Sequence, residues 1–418
     1  MSDEPTPAAE LPARTRANAT RLREVATLFL KLGTISFGGP AAHVALMEEM
    51  VVRERQWLTK QQFLDLLGAC NLIPGPTSTE MAINVGFARA GRMGLCVAGA
   101  CFILPAALIS GGLAWAYVRF GTLTQAGWLL GGVKAAVVAV IALAIWRLVQ
   151  TAVKGVGLGV LGALALAAFF LGANSLVILI GGGLLGMLAR QIASSRSGPN
   201  QGLLAPLLSG RRFFPARVFS AMLSYRLRWF TVAVVASAAG VATRPSIDQI
   251  GLFFLKVGAV LYGGGYVLLA FLEQGLVRQN AWLTRQQLLD AVAIGQFTPG
   301  PVLSTATFIG YILGGVPGAA IATVGIFLPS FFYVALLAPV LFRLRKSAWM
   351  SGFMDSVNVC AVALMGGVTF RLAADALQGW AMGGIALISF AILLRWKVDA
   401  AWVVLGGGIA GVLLGAFR

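Results

Sequence analysis

Two stretches decide how this chain folds: NLIPGPTST at 71–79 and GQFTPGPVLST at 295–305. Each places Pro-Gly-Pro in apolar chain and follows it with hydroxyls, Thr77, Ser78 and Thr79 in the first and Ser304 and Thr305 in the second. The surrounding chain has 418 residues, 58% hydrophobic and 11% charged, with mean hydropathy +0.84. Apolar runs at 93–118, 123–146, 155–172, 174–189, 316–342, 349–370, 378–394 and 398–417 reach or approach the roughly 20 residues that a helix needs to cross a bilayer. The expected fold is an all-α polytopic membrane protein, with the lipid bilayer as its first partner.

The two stretches are copies of one another. Lys31 and Lys256 differ by 256 − 31 = 225, and this offset also aligns Gly38-Gly39 with Gly263-Gly264, Glu48 with Glu273, and Arg53 with Arg278. It carries Trp57-Leu58-Thr59 onto Trp282-Leu283-Thr284, Asp65 onto Asp290, and Pro74-Gly75-Pro76 onto Pro299-Gly300-Pro301 without a gap. One residue is then lost, and Gly86, Gly91, Gly94 and Pro105 match Gly310, Gly315, Gly318 and Pro329 at an offset of 224. The chain is a tandem duplication.

Charge predicts that the copies face opposite ways. Expected units are a disordered cytoplasmic tail at 1–23, a first repeat at 24–190, a basic cytoplasmic linker with one connecting helix at 191–249, and a second repeat at 250–418. The linker holds Arg196, Arg211, Arg212, Arg217, Arg226 and Arg228, and the apolar run 229–242 is read as the connecting span. Loop 119–124 has Arg119 alone, whereas its counterpart has Arg343, Arg345 and Lys346; the next loops reverse the bias, with Arg147 and Lys154 against Arg371. Because cytoplasmic loops retain Lys and Arg, this swap implies an inverted repeat with its N-terminus inside and C-terminus outside. The net charge of +17 is therefore read as topology, and no nucleic-acid partner is expected. The N-terminus lacks the apolar core of a signal peptide. Cys70, Cys96, Cys101 and Cys360 are read as packing residues without metal-ligand spacing, and no cofactor or metal is expected.

Inverted repeats are an architecture of alternating access. Gly and Pro within lipid free backbone N–H and C=O groups that must be satisfied by protein, water or ligand, so breaks belong beside a cavity. Pro40, after Gly38-Gly39, and Pro76, after Gly75, suit the first position of a new helix. Each break is expected to begin a half-helix inside the membrane, whether the broken segments are re-entrant or span it. A helix N-terminus offers free N–H donors and positive potential, a site for an anion. Thr77, Ser78, Thr79, Ser304 and Thr305 would add donors, and Lys31 and Lys256 are cations that such an anion could partner, or else snorkel to an interface.

These residues resemble the chromate ion transporter family. Phe37 to Pro40 with Glu48, and Trp57, Thr59, Gln62, Phe63, Asp65 and Pro74 to Pro76, stand where its signatures do, with a second copy in the C-terminal half. The likeness covers about 24 to 417, as in the long two-domain members. The resemblance implies export of chromate, a tetrahedral dianion similar to sulfate, and a role in chromate resistance. One departure is Tyr262 to Gly265, YGGG in place of FGGP, which lacks the proline of the first copy's helix start.

Other polar residues carry weaker signals. Lys134 and Asn358 occupy matched apolar positions, either lining a cavity or, for Lys134, pairing with a carboxylate such as Asp355. Glu48, Glu273, Asp65 and Asp290 suit helix caps or pairs with Arg53 and Arg278, and Glu48 and Glu273 are also candidates for coupling. Glu80 has no acidic counterpart, and a carboxyl beside an anion site could couple protonation to binding. His43, the sole histidine, follows Pro40 by one turn, for local hydrogen bonding or a proton relay. With no nucleophile–base arrangement, an enzyme is not expected. An anion channel, a transporter of sulfate or another tetrahedral oxyanion, and a homodimer all stay open.

Overall fold

The computed structural model describes residues 13–37, 39–70, 73–121, 124–195, 245–261, 267–344, 348–377, 379–396 and 398–416. Gly38, Gly263, Gly264 and residues 196–244, with the basic linker and the apolar run 229–242, lie outside them, as do residues 1–12; residues 13–23, expected as part of a disordered tail, belong to the helix Ala13–Ile35. Among the described residues every regular element is helical. The first copy comprises α1 (Ala13–Ile35), α2 (Gly39–Glu48) continuing into a π-helical turn (Glu49–Glu54), α3 (Lys60–Cys70), α4 (Thr77–Phe120), α5 (Thr124–Ala152), α6 (Val156–Phe170) and α7 (Ser175–Ser195). The second repeats it: α8 (Ile247–Val260), α9 (Leu268–Leu272) with a π-helical turn (Glu273–Gln279), α10 (Arg285–Phe297), α11 (Thr305–Leu344) after one 3-10 turn (Val302–Ser304), α12 (Ala348–Ala376), α13 (Trp380–Arg395) and α14 (Ala400–Ala416).

Backbone irregularities recur in register. Gln56 and Ala281, 225 apart, both have positive φ, 51° and 50°. Within α4 the helix breaks at Ala90 and Gly91 (φ 63°), and within α11 at Gly314 and Gly315 (φ 62°). These breaks are reversals. Residues eight apart on one helix would be separated by about 12 Å, yet Gly86 and Gly94 touch through their backbones, as do Gly310 and Gly318. Each of these long helices is thus a short arm (77–89 or 305–313) folded against a long span (92–120 or 316–344).

Among the described residues four stretches are long and apolar enough to cross a membrane: Thr77–Phe120, Gly127–Ala152, Val302–Leu336 and Ser351–Ala376. Val156–Phe170, Ser175–Arg190, Trp380–Arg395 and Ala400–Ala416 are shorter apolar helices.

Contacts at the helix ends fix the direction of each copy. Arg89, at the end of the short arm, pairs with Glu24 of α1 at 2.7 Å and lies 5.0 Å from the Trp57 ring, just before α3. The pairs α1/α2 and α3/short arm therefore enter and leave on one face, which we call the first. From Arg92 the long span of α4 reaches the second face, and α5 returns to the first. There Lys154 and Arg190 both pair with Asp355, near the start of α12, at 2.7 and 3.1 Å. At the other end of α12, Arg371 stacks on Phe169 and Phe170, the last residues of α6, on the second face. Arg285, which opens α10, meets Asp375 at 2.9 Å on that same face. The re-entrant pairs of the second copy thus open opposite to those of the first, and the repeat is inverted.

The copies are interleaved. Helices α13 and α14 pack on α5, while α6 and α7 pack on α12. Small residues permit these close approaches, as expected where lipid removes the hydrophobic drive between helices: a Cβ on Gly407 of α14 would lie 2.6 Å from the Ala136 Cβ and 2.8 Å from the Gly132 carbonyl of α5.

Candidate functional site

The breaks of one copy meet the breaks of the other. The Gly300 N–H donates to the Ser36 carbonyl at 2.8 Å, joining the second Pro-Gly-Pro to the bend between α1 and α2. Gly300 has φ 87°, and a Cβ there would lie 2.8 Å from the Ala106 Cβ and 3.0 Å from the Gly33 carbonyl, so glycine is required. In the other half Gly75 touches the Glu80 carboxyl, and its Cβ would lie 2.7 Å from Ser330 Oγ. Ser330 stands 224 residues after Ala106, so both Pro-Gly-Pro turns press against the same site on the partner copy's long span.

Helix α1 comes close for a related reason. Pro105 has no N–H to offer the Cys101 carbonyl one turn earlier, and a Cβ on Gly33 would stand 2.7 and 3.1 Å from the Phe102 and Cys101 carbonyls. Gly258 approaches Ile326 in the same way.

Around these turns lie buried polar atoms without hydrogen-bond partners: Ser36 Oγ, His43 Nδ1, Thr79 Oγ1, both Glu80 carboxyl oxygens, Ser304 Oγ and Ser330 Oγ. Such groups are rare in folded proteins and call for a ligand, water or ion. Helix α4 has Pro76 as N-cap, with no side-chain cap, and its first intrahelical bond runs from the Glu80 N–H to the Pro76 carbonyl. The amides of Thr77, Ser78 and Thr79 therefore have no carbonyl within the helix. Pro76 takes the cap, one position before that expected, and Pro40 follows Gly39 at the start of α2.

The remaining candidates are placed as follows. Pro74, Pro76, Pro299, Pro301, Ser78, Thr305 and His43 are buried, His43 edge-on to Phe102, and Thr77 is half-buried. Lys31 and Lys256 are exposed on the sides of α1 and α8 that also expose Leu30, Ile35 and Leu252. Lys134 is buried and pairs with Asp290 at 3.1 Å, which corrects the expected Asp355 partner and the reading of Asp290 as a partner of Arg278. Asp355 lies one face away, held by Lys154 and Arg190. Asn358, at the matched position, is exposed. Glu273 pairs with Arg278 at 3.0 Å as expected, but Arg53 reaches Glu49 rather than Glu48, because Glu49 lies one turn away on the same helical face. Ser36 and Ser330 were not legible as site residues: Ser36 precedes the Phe37–Pro40 break, but nothing in the sequence marks Ser330, which the fold alone brings to Gly75.

A family model described as chromate transporter matches residues 23–187 and 249–412, one match per copy. The chain belongs to the chromate transporter family. It is 32% identical to the chromate transport protein of Cupriavidus metallidurans over 395 residues, covering 94% of this chain and 93% of that protein. Identity is 30% over 403 residues to the probable chromate transport protein of Synechococcus elongatus (94% and 96% covered), and 30% over 395 residues to the chromate transport protein of Pseudomonas aeruginosa (92% and 91%). No solved structure matches the chain. Membership makes it a multi-pass membrane transporter and not an enzyme.

Proposed function

We propose that this chain exports chromate across the plasma membrane by alternating access, binding the dianion at the junction where the breaks of the two copies meet. The Gly300–Ser36 hydrogen bond carries this reading, because it brings helix starts of oppositely inserted copies to one place, amid unpartnered hydroxyls. Amides at the starts of α2, α4 and α11, with Ser36, Thr79, Ser304 and Ser330, suit an oxyanion that accepts through four oxygens. The turns are closely packed, Gly300 against Ala106 and Gly33 and Gly75 against Ser330, so helix movement has to open the junction before a dianion enters. The Pro-Gly-Pro turns, pressed against the other copy's span, are the elements to part.

Glu80 supplies coupling. Ionised, its carboxylate would repel a dianion at the neighbouring helix start; protonated, it admits one, so anion and proton occupancy are linked. His43, on the other side of the junction, relays the proton. The first face carries Arg23, Arg55, Arg89, Arg92, Arg147, Lys154, Arg190 and Arg395 and is the cytoplasmic one, which puts the N-terminus inside. Everted vesicles given tracer chromate, with and without an imposed proton gradient, test this: uptake that responds to the gradient and is outcompeted by unlabelled chromate is expected. Uptake no greater than in vesicles lacking the protein would refute it. Sulfate outcompeting chromate in the same vesicles would make sulfate the substrate.

A further inference from the structure

A second polar cluster lies away from the junction, on the second face. A cavity of ≈ 150 Å³ separates the α6–α7 turn (Phe169, Gly172, Ala173) from the π-helical turn (Glu273, Gln274, Arg278). At roughly 30 Å³ per water it holds about five waters, enough for a tetrahedral oxyanion with part of its hydration.

The charges around it are unusual for that face. Among the described residues, Arg119, Arg278, Arg285 and Arg371 are its basic side chains, and all but Arg119 gather here. Their acidic partners are Glu273 and Asp375, so three guanidiniums face two carboxylates. Hydrogen bonding is incomplete. Glu273 is fully buried; its Oε1 accepts from Arg278 Nε at 3.0 Å, but Arg371 Nη1 stands 4.0 Å away and has no partner. Glu273 Oε2 and Arg285 Nε are also unpartnered. Gln274 accepts from the Ser175 N–H at 2.8 Å, leaving its own NH2 as a donor. Excess positive charge, a hollow lined by Arg278 and Gln274, and an unpartnered Arg371 donor behind Glu273 together describe a site for an anion.

We propose that this cluster is an oxyanion-binding mouth on the second face, with Arg278, Arg371 and Gln274 as donors and Glu273 as a tethered carboxylate that a tetrahedral dianion displaces. The inference rests on the reading of the chain as an oxyanion transporter and adds a station outside the junction. A free dianion carries more charge than the Glu273 carboxylate and more acceptor oxygens, so it accepts hydrogen bonds from Arg278 and Arg371 together, whereas Glu273 Oε1 bonds Arg278 and stands 4.0 Å from Arg371. The π-helical turn carrying Glu273 and Arg278 is a local widening of the helix of a kind frequent at functional sites.

Ala173→Cys, exposed on the cavity wall, provides the test. Full-length protein in sealed vesicles is labelled with a membrane-impermeant thiol reagent from the second face, under increasing sulfate, which unlike chromate does not oxidise thiols. Sulfate is expected to slow labelling where chloride of equal ionic strength does not. Arg371→Gln or Arg278→Gln should raise the sulfate needed by about tenfold, and Glu273→Gln should lower it. Equal protection by chloride, or protection unchanged in both arginine variants at unaltered unprotected labelling rates, overturns the mouth. A junction variant, Thr79→Ala with Ser304→Ala, should lose chromate transport and keep sulfate protection, so the two readings fail separately.

Discussion

The ammonium of Lys134 in α5 lies 3.1 Å from the carboxylate of Asp290 in α10, and the pair joins the two copies within the membrane. Tyr117 of α4 donates to the other carboxylate oxygen at 2.9 Å. The matched pair in the other half, Asp65 and Asn358, cannot form the same ion pair, because Asn358 has no charge. The re-entrant arm α10 is therefore tied ionically to the first copy through Lys134.

Removing one partner should be far worse than removing both. Lys134→Ala or Asp290→Ala leaves an unpaired charge in a buried site, at a cost of about 3–5 kcal/mol. Lys134→Met with Asp290→Leu should recover most of that loss. Thermal unfolding of the purified variants, followed by tryptophan fluorescence, checks the order; a double variant as unstable as either single one contradicts it.

The helix reversals distinguish two roles of glycine. Gly91→Ala and Gly315→Ala meet no neighbour and should cost only the left-handed backbone, about 1–2 kcal/mol. At Gly86 and Gly310 a methyl would strike the backbone carbonyl of Gly94 or Gly318, which cannot swing aside. Gly86→Ala and Gly310→Ala should therefore lower the amount of folded protein in membranes more than Gly91→Ala does, as a fluorescent fusion would report.

Inversion predicts opposite accessibilities for matched loops. Single cysteines replacing Lys154 and Ala173 should react with an impermeant reagent from opposite sides of the membrane, and a cysteine appended after Arg418 from the same side as position 173. Labelling of positions 154 and 173 from one side is incompatible with the helix order.

If Glu80 couples protons to transport, Glu80→Gln should make chromate flux nearly insensitive to an imposed pH gradient while leaving exchange of internal for external chromate in place. Flux through the variant that still follows the gradient would exclude the role. Ser330→Ala, which removes only the hydroxyl beside Gly75, should weaken chromate binding by about tenfold or less, the worth of one neutral hydrogen bond.

Composition and pattern alone determined the membrane class, the duplication, the places where helices break and, through the swapped loop charges, the opposite insertion of the copies. These depend on local quantities: apolar length against bilayer thickness, the missing N–H of proline, the side on which Arg and Lys remain. The matched glycines at 86, 91 and 94 were visible too, but not that they fold a short arm back on its own span, because an alignment shows which residues recur and not which of them touch. Only the tertiary structure decided that the Gly300 turn belongs to Ser36, that Lys134 answers Asp290 rather than Asp355, and that Ser330 faces Gly75. Tyr117 and Asp290, 173 positions apart, share a hydrogen bond because interleaved helices stack them at one depth, and depth within a packed bundle is a property of the whole assembly rather than of any stretch of chain.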